Sequence, residues 1–143
     1  MKIGNSFARI IKEMVYLFLI LFLSYTSFFK MMNMSSFQTN IFKTGVFSEH
    51  IIEPLSYAVV ISEIILIIIL ISKRVLGLYL FSAMLMAFTI YISYLNYNQL
   101  YEVCGCGGIL NGMQYKYHLL VNLGLIAGAL FVLMQYKKGV YEK

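Results

Sequence analysis

"LSYAVVISEIILIIILISKRVLGLYLFSAMLMAFTIYISYL", residues 55–95, decides the fold. It holds two apolar runs, Leu55–Ser72 and Val75–Leu95, split only by Lys73 and Arg74. A helix needs about 20 mostly apolar residues to cross a bilayer, and both runs have that length. Each is too long for one strand, and neither alternates as a barrel strand does. In hydrocarbon an unpaired backbone group costs several kcal/mol, so the β-branched Ile and Val of these runs are driven into helix. The two-residue gap leaves room only for a tight turn.

The rest of the chain agrees. Of 143 residues, 61% are hydrophobic and only 12% are charged; mean hydropathy is +0.81. Water-soluble domains run near half apolar and about a quarter charged. A soluble fold would lack a polar surface here, so lipid is the solvent for most of the protein. Two further runs are Met14–Phe29, "MVYLFLILFLSYTSFF", and His118–Gln135, "HLLVNLGLIAGALFVLMQ". Lys2, Arg9 and Lys12 precede the first, as basic residues precede a signal peptide. That run exceeds a signal core and no small-x-small cleavage site follows it, so a retained helix is expected. The expected architecture is an all-α membrane protein. It is one domain, 1–143, forming a four-transmembrane-helix bundle with helices about 14–29, 55–72, 75–95 and 118–135.

Charge sets the expected orientation. With the N-terminus inside, the cytoplasmic face holds Lys2, Arg9, Lys12, Lys73, Arg74, Lys137, Lys138 and Lys143. The outer face holds Lys30, Lys43 and Lys116, which completes the eleven basic residues. Cytoplasmic loops are the basic ones, so both termini are expected in the cytoplasm and the chain in the inner membrane. The net charge of +5 then reflects topology and anionic lipid, and no nucleic-acid partner is implied. The long loops, 30–54 and 96–117, both face outward. The first carries phenylalanines at 37, 42 and 47 and is expected to lie on the membrane surface. Pro54 is expected at the mouth of the second helix, where its missing N–H costs little.

Several polar groups fall inside the apolar runs. Glu63 lies about 12 Å from the outer end of its run at 1.5 Å per residue. Two readings stand for it: a functional intramembrane acid, or a protonated Glu bonded to a neighbouring helix, with burial raising its pKa. Ser82, Thr89, Ser93 and Asn96 form one stripe of the third helix, expected to pack inward and to offer Glu63 partners. Gly124 and Gly128 make a G-x-x-x-G pair, read as packing within the chain. His118 and Asn122 are one turn apart and share a face. Tyr91, Tyr94, Tyr97, Tyr101, Tyr115 and Tyr117 crowd the outer level. They read as an interfacial aromatic belt, with stacking on a quinone ring as the sharper alternative.

The only two cysteines, Cys104 and Cys106, lie in "CGCGG" within the second outer loop, outside the cytoplasm, where disulfides persist. Three readings compete. A static bridge across one residue closes a tiny loop and stabilises little. Two thiolates do not complete a zinc site, although Cu(I) tolerates two soft ligands. A strained bridge is readily reduced and exchanges quickly. The flanking glycines admit a partner's sulfur, and His118 sits where it could lower a thiol pKa.

These features together resemble the MauE/DoxX-type redox-associated membrane proteins. The likeness runs over nearly the whole chain: Lys30 after the first helix, Pro54 and Glu63 at and within the second, "CGCGG" before the fourth and Asn122 inside it. Gly107 stands where members often carry an aromatic residue, and Val121 where a basic residue often precedes the Asn. The resemblance implies that Cys104 and Cys106 are a dithiol/disulfide pair. Glu63, Asn122 and Lys30 are supporting positions, joined by His118 from the reading of its loop. It also implies a thioredoxin-like extracytoplasmic partner, oxidative maturation of secreted proteins, and a quinone as the one cofactor brought into view; no metal is implied. The alternative from another class is a membrane assembly factor whose cysteines only shape a loop. Direction of electron flow, substrate and oligomeric state are not written in the sequence.

Overall fold

In a computed structural model of the chain, residues 3–101 and 113–141 are described. They form five helices: α1 (Ile3–Met32), α2 (Met34–Lys43), α3 (Glu49–Ser72), α4 (Arg74–Tyr97) and α5 (Tyr115–Tyr141). The expected four become five because the loop 30–54 contains α2 and the first turns of α3. α2 is amphipathic and short, so a search for long apolar runs passes over it. Asn33 separates it from α1, and the chain bends there without losing the hydrogen bonds Asn33 N–H to Phe29 C=O, 3.1 Å, and Phe37 N–H to Asn33 C=O, 3.0 Å. α2 ends at Gly45, whose φ of +63° is the left-handed geometry that closes many helices.

α3 begins five residues before Pro54, so Pro54 lies inside it rather than at its mouth. The turn before Pro54 is tied by Ile51 N–H to Ser48 C=O, 2.9 Å, which carries the helix into the proline. At the other end, α3 and α4 are joined through Lys73 alone. They pack there closely enough that a methyl at Gly77 would fall 2.5 Å from the Leu70 Cα.

α3, α4 and the Tyr115–Tyr136 stretch of α5 are long and apolar enough to cross a membrane. Within the most apolar stretch of each, only 28%, 33% and 33% of residues are buried by the protein itself. The remainder includes exposed Ile61, Ile65, Ile68, Ile71, Ile90, Leu120 and Leu123. Apolar exposure on that scale needs a non-aqueous surrounding. This is a membrane protein.

α1 packs on α3 and α5, and α4 packs on the same two helices. The core is built from residues spaced three or four apart: Leu19 and Leu23 on α1, Leu66 and Leu70 on α3, Leu78, Phe81 and Leu85 on α4, and Leu125, Ala129 and Val132 on α5. That spacing places each set on one helix face. α2 rests mainly on α3, held by Gln38 Nε2–H to the Ser56 hydroxyl, 3.0 Å.

Polar contacts close the end of the helices nearest the α3–α4 turn. Arg74 Nη1 donates to Glu13, 3.0 Å, and to the Tyr136 hydroxyl, 3.0 Å, joining α1, α4 and α5. Lys12 pairs with Glu13 at 3.3 Å and lies 4.3 Å from the Tyr136 ring centre. Tyr16 donates to the Leu70 carbonyl.

Candidate functional site

The opposite half of the molecule holds the site. Glu63 projects from the middle of α3 and is 1% exposed. Its partners come from α1: Lys30 forms an ion pair with Oε1, and the Ser27 hydroxyl donates to Oε2 at 2.8 Å. Lys30, 5% exposed, therefore belongs to the buried end of α1 and not to an outer loop. The expectation that the α4 stripe serves Glu63 is corrected by the same contacts. Ser82 and Thr89 donate to carbonyls one turn back on α4, and Ser93 bonds the Thr89 carbonyl and Tyr115. Asn96 is exposed. Serine and threonine in apolar helices readily satisfy themselves this way, which a stripe of residue types does not reveal. The neighbouring helix that Glu63 bonds is α1, through Lys30 and Ser27.

Lys30 Nζ also lies 5.5 Å and 5.8 Å from the ring centres of Phe88 and Phe37. These rings belong to the wall of a cavity of about 280 Å³. α1 lines it with Phe22, Thr26 and Lys30, α2 with Phe37, Asn40 and Thr44, and α3 with Leu55, Val59 and Glu63. α4 adds Phe81, Phe88 and Tyr91, and α5 adds His118 and Asn122. On every helix the lining residues recur at three- or four-residue spacing, so one face of each points inward. Ala87, an exposed residue of α4, also lines the cavity.

His118 and Asn122 are each 3% exposed. Asn122 Nδ2–H donates to the Thr89 hydroxyl at 3.2 Å. His118 Nδ1 lies 2.9 Å from the Tyr101 hydroxyl, which in turn donates to the Met113 carbonyl at 2.8 Å. A hydroxyl has one proton. Tyr101 gives it to Met113, so His118 Nδ1–H donates to Tyr101 and Nε2 is the acceptor nitrogen of the ring. Burial, with Tyr115 beside it, pushes the Tyr101 phenol up to about 12, so it holds this proton throughout the physiological range. Tyr115 meets Tyr101 edge-on, ring centres 5.4 Å apart.

The sequence-derived site thus divides. Lys30, Glu63, His118 and Asn122 meet around one cavity. Cys104 and Cys106 lie outside the described residues, between Tyr101 and Met113, whose side chain and carbonyl are bonded to each other. Of the tyrosine belt, Tyr94, Tyr97 and Tyr117 are exposed, whereas Tyr91, Tyr101 and Tyr115 turn inward. Sequence reading missed Ser27, and it gave Tyr101 and Phe37 only as residues of an aromatic belt and a surface segment. Ser27 is one turn before Lys30, a signal visible only once Lys30 is placed on α1. Gly124 has open space at its Cα, and Gly128 meets only Val15 and Leu19 side chains; the close approach falls at Gly77 instead. Among the described residues no cluster of three His, Cys, Asp or Glu could hold a metal.

Apolar helices around a buried ion pair and a polar-tipped cavity define an integral membrane protein. Residues 8–135 match the family model for the methylamine utilisation protein MauE, and the chain belongs to that family. No curated protein and no solved structure matches it.

Proposed function

We propose that the chain is a thiol–disulfide redox protein of the inner membrane. In this reading α1, α3, α4 and α5 form a four-span bundle in a single domain, with both termini cytoplasmic. Cys104 and Cys106 are the exchanging pair on the outer face. They pass oxidation between a secreted thioredoxin-like partner and the proteins it matures. The observation that carries the reading is the Tyr101 bridge. One hydroxyl bonds both the Met113 carbonyl and His118, so the segment holding the cysteines leaves and returns beside an imidazole. Cys104 is three residues from Tyr101 in the chain, and an imidazole near a thiol favours the thiolate that attacks a disulfide. Lys30–Glu63 and Asn122–Thr89 support this arrangement by fixing α1, α3, α4 and α5 around it. The basic residues concentrated near the N-terminus, the α3–α4 turn and the C-terminus support the orientation.

The exchange is balanced as follows. A thiolate of the pair attacks one sulfur of the partner's disulfide, and the other sulfur leaves as a thiolate. The second cysteine then attacks the mixed disulfide, closing the Cys104–Cys106 bridge and releasing the reduced partner; the reverse sequence oxidises it. Replacing Cys106 with Ser, and Cys104 with Ser separately, should trap a mixed disulfide in one of the two. The readout is a reductant-sensitive adduct on a non-reducing gel of membranes from the native host. A double Ser variant that forms no adduct and keeps full biological activity would overturn the proposal in favour of an assembly factor. Thiol labelling of intact cells with a membrane-impermeant reagent tests sidedness independently.

A further inference from the structure

We propose that the cavity holds an acyl chain of a bilayer phospholipid. This goes beyond the thiol-exchange reading and does not depend on it. The argument begins with the polar groups at the wall, which already have partners. Lys30 and Ser27 bond Glu63, so the two charges cancel within the pair. Asn122 bonds Thr89, and His118 bonds Tyr101. Thr26 donates to the Leu23 carbonyl at 3.0 Å, and Thr44 to the Ile41 carbonyl at 2.7 Å. Among the described residues no buried side-chain nitrogen or oxygen lacks a partner. A polar guest would lose its hydration and find no group waiting for it. A hydrocarbon guest has no such loss.

The size of the space argues that it is filled. Protein interiors leave few voids larger than a water molecule, and the cost of an empty cavity rises with its volume. This one has about 280 Å³, whereas an apolar cavity of about 150 Å³ already stays dry and takes up benzene. Phe22, Leu23, Leu55, Val59, Phe81 and Leu85 give it an apolar wall. That wall runs from Phe81 to Ile92 on α4 and from Leu55 to Glu63 on α3, about three turns and about two at 3.6 residues per turn. A flexible chain can follow such a wall. The surrounding bilayer supplies chains in greater abundance than any other apolar molecule. Lipid tails are as apolar as the wall itself, so transfer alone gives a chain little; it gains the contacts that an empty wall forgoes.

The test uses the full chain in phosphatidylcholine nanodiscs that include a small share of phosphatidylcholine with a diazirine within one acyl chain. Irradiation, digestion and mass spectrometry map the adducts. Lipid around the outside reaches exposed Ile90 and Leu123. Glu63, Phe81 and Leu85 line the cavity and are at most 6% exposed, so a chain inside the cavity is needed to mark them. The expected result is adducts at both sets. Val59→Trp and, separately, Met84→Trp add bulk at wall positions on two different helices. Each should lose the inner adducts, keep those at Ile90 and Leu123, and keep the circular dichroism of the parent chain. Adducts on the exposed residues alone would overturn the proposal, as would inner adducts that survive in both variants. Hexadecanol and farnesol, present in turn during assembly, separate a linear chain from a prenyl chain. Hexadecanol should reduce the inner adducts; reduction by farnesol alone would overturn the acyl assignment.

Discussion

Lys30→Met should strongly destabilise the protein by breaking the charged pair. Glu63 is 1% exposed and is held by Lys30 and by Ser27 at 2.8 Å. Removing the ammonium leaves a carboxylate that must protonate or stay buried with one hydroxyl donor. Breaking a buried pair from one side costs about 3–5 kcal/mol. Glu63→Met leaves the Lys30 ammonium among Phe37, Phe88 and apolar chains and should cost a similar amount. Replacing both together removes the two desolvation costs with the attraction, and such exchanges are often near neutral. The double variant should therefore be more stable than either single variant, with a coupling of at least about 2 kcal/mol. The assay is reversible unfolding in mixed micelles by SDS titration, followed by circular dichroism, over the four-member cycle. Additive single effects, with coupling under about 0.5 kcal/mol, would show that Lys30 and Glu63 are not paired in the folded protein.

Gly77→Ala should destabilise by at least about 1–3 kcal/mol, because the new methyl meets the Leu70 backbone at 2.5 Å. Gly124→Ala meets nothing within 4 Å and should gain about 0.5–1 kcal/mol of helix propensity; the same titration ranks the two. Arg74→Gln breaks a pair whose side chains are 49% and 42% exposed and should cost under about 1 kcal/mol in the same assay. The Tyr101 phenol should ionise near 12 rather than at the ordinary value of 10. A folded pKa raised above the unfolded one means the folded state keeps the proton longer, so stability falls as pH rises from 10 toward 12. Difference absorbance of phenolate between the protein and Tyr101→Phe measures the ionisation.

Legibility in the sequence followed the length of the signal. The runs at 55–72 and 75–95 read correctly because a continuous apolar stretch permits only helix in lipid. α2 was invisible to that criterion: ten residues with Ser, Gln, Thr and Asn among Met, Phe and Ile look like a surface segment until α3 supplies a partner. Lys30 shows the same limit at the scale of one residue. A lysine after an apolar run reads as the start of a loop, and only the fold brings it to a glutamate 33 positions away. His118 and Asn122 were legible as a shared face by spacing alone. What they face depends on Tyr101 and Thr89, which spacing does not supply. The glycine pair was half legible: Gly128 packs on Val15 and Leu19 of α1 as the spacing suggested, whereas Gly124 faces open space and the tightest approach falls at Gly77.

The two ends of the molecule are built on different physics. Near the α3–α4 turn, Gly77 lets α4 close on Leu70 and exposed ion pairs tie Glu13, Arg74 and Tyr136. Packing there leaves no room, and the charges keep contact with solvent and add little. Toward Lys30 and His118 the same helices hold charged and polar side chains in a cavity that apolar packing would have filled more stably. Buried pairs are weak stabilisers compared with well-packed apolar residues, and intramembrane ionisable groups are costly to retain. A fold that closes one end so tightly has the means to close the other. Ser27, Lys30, Glu63, His118 and Asn122 occupy instead the end that holds the cavity, so the cost of their burial is concentrated there.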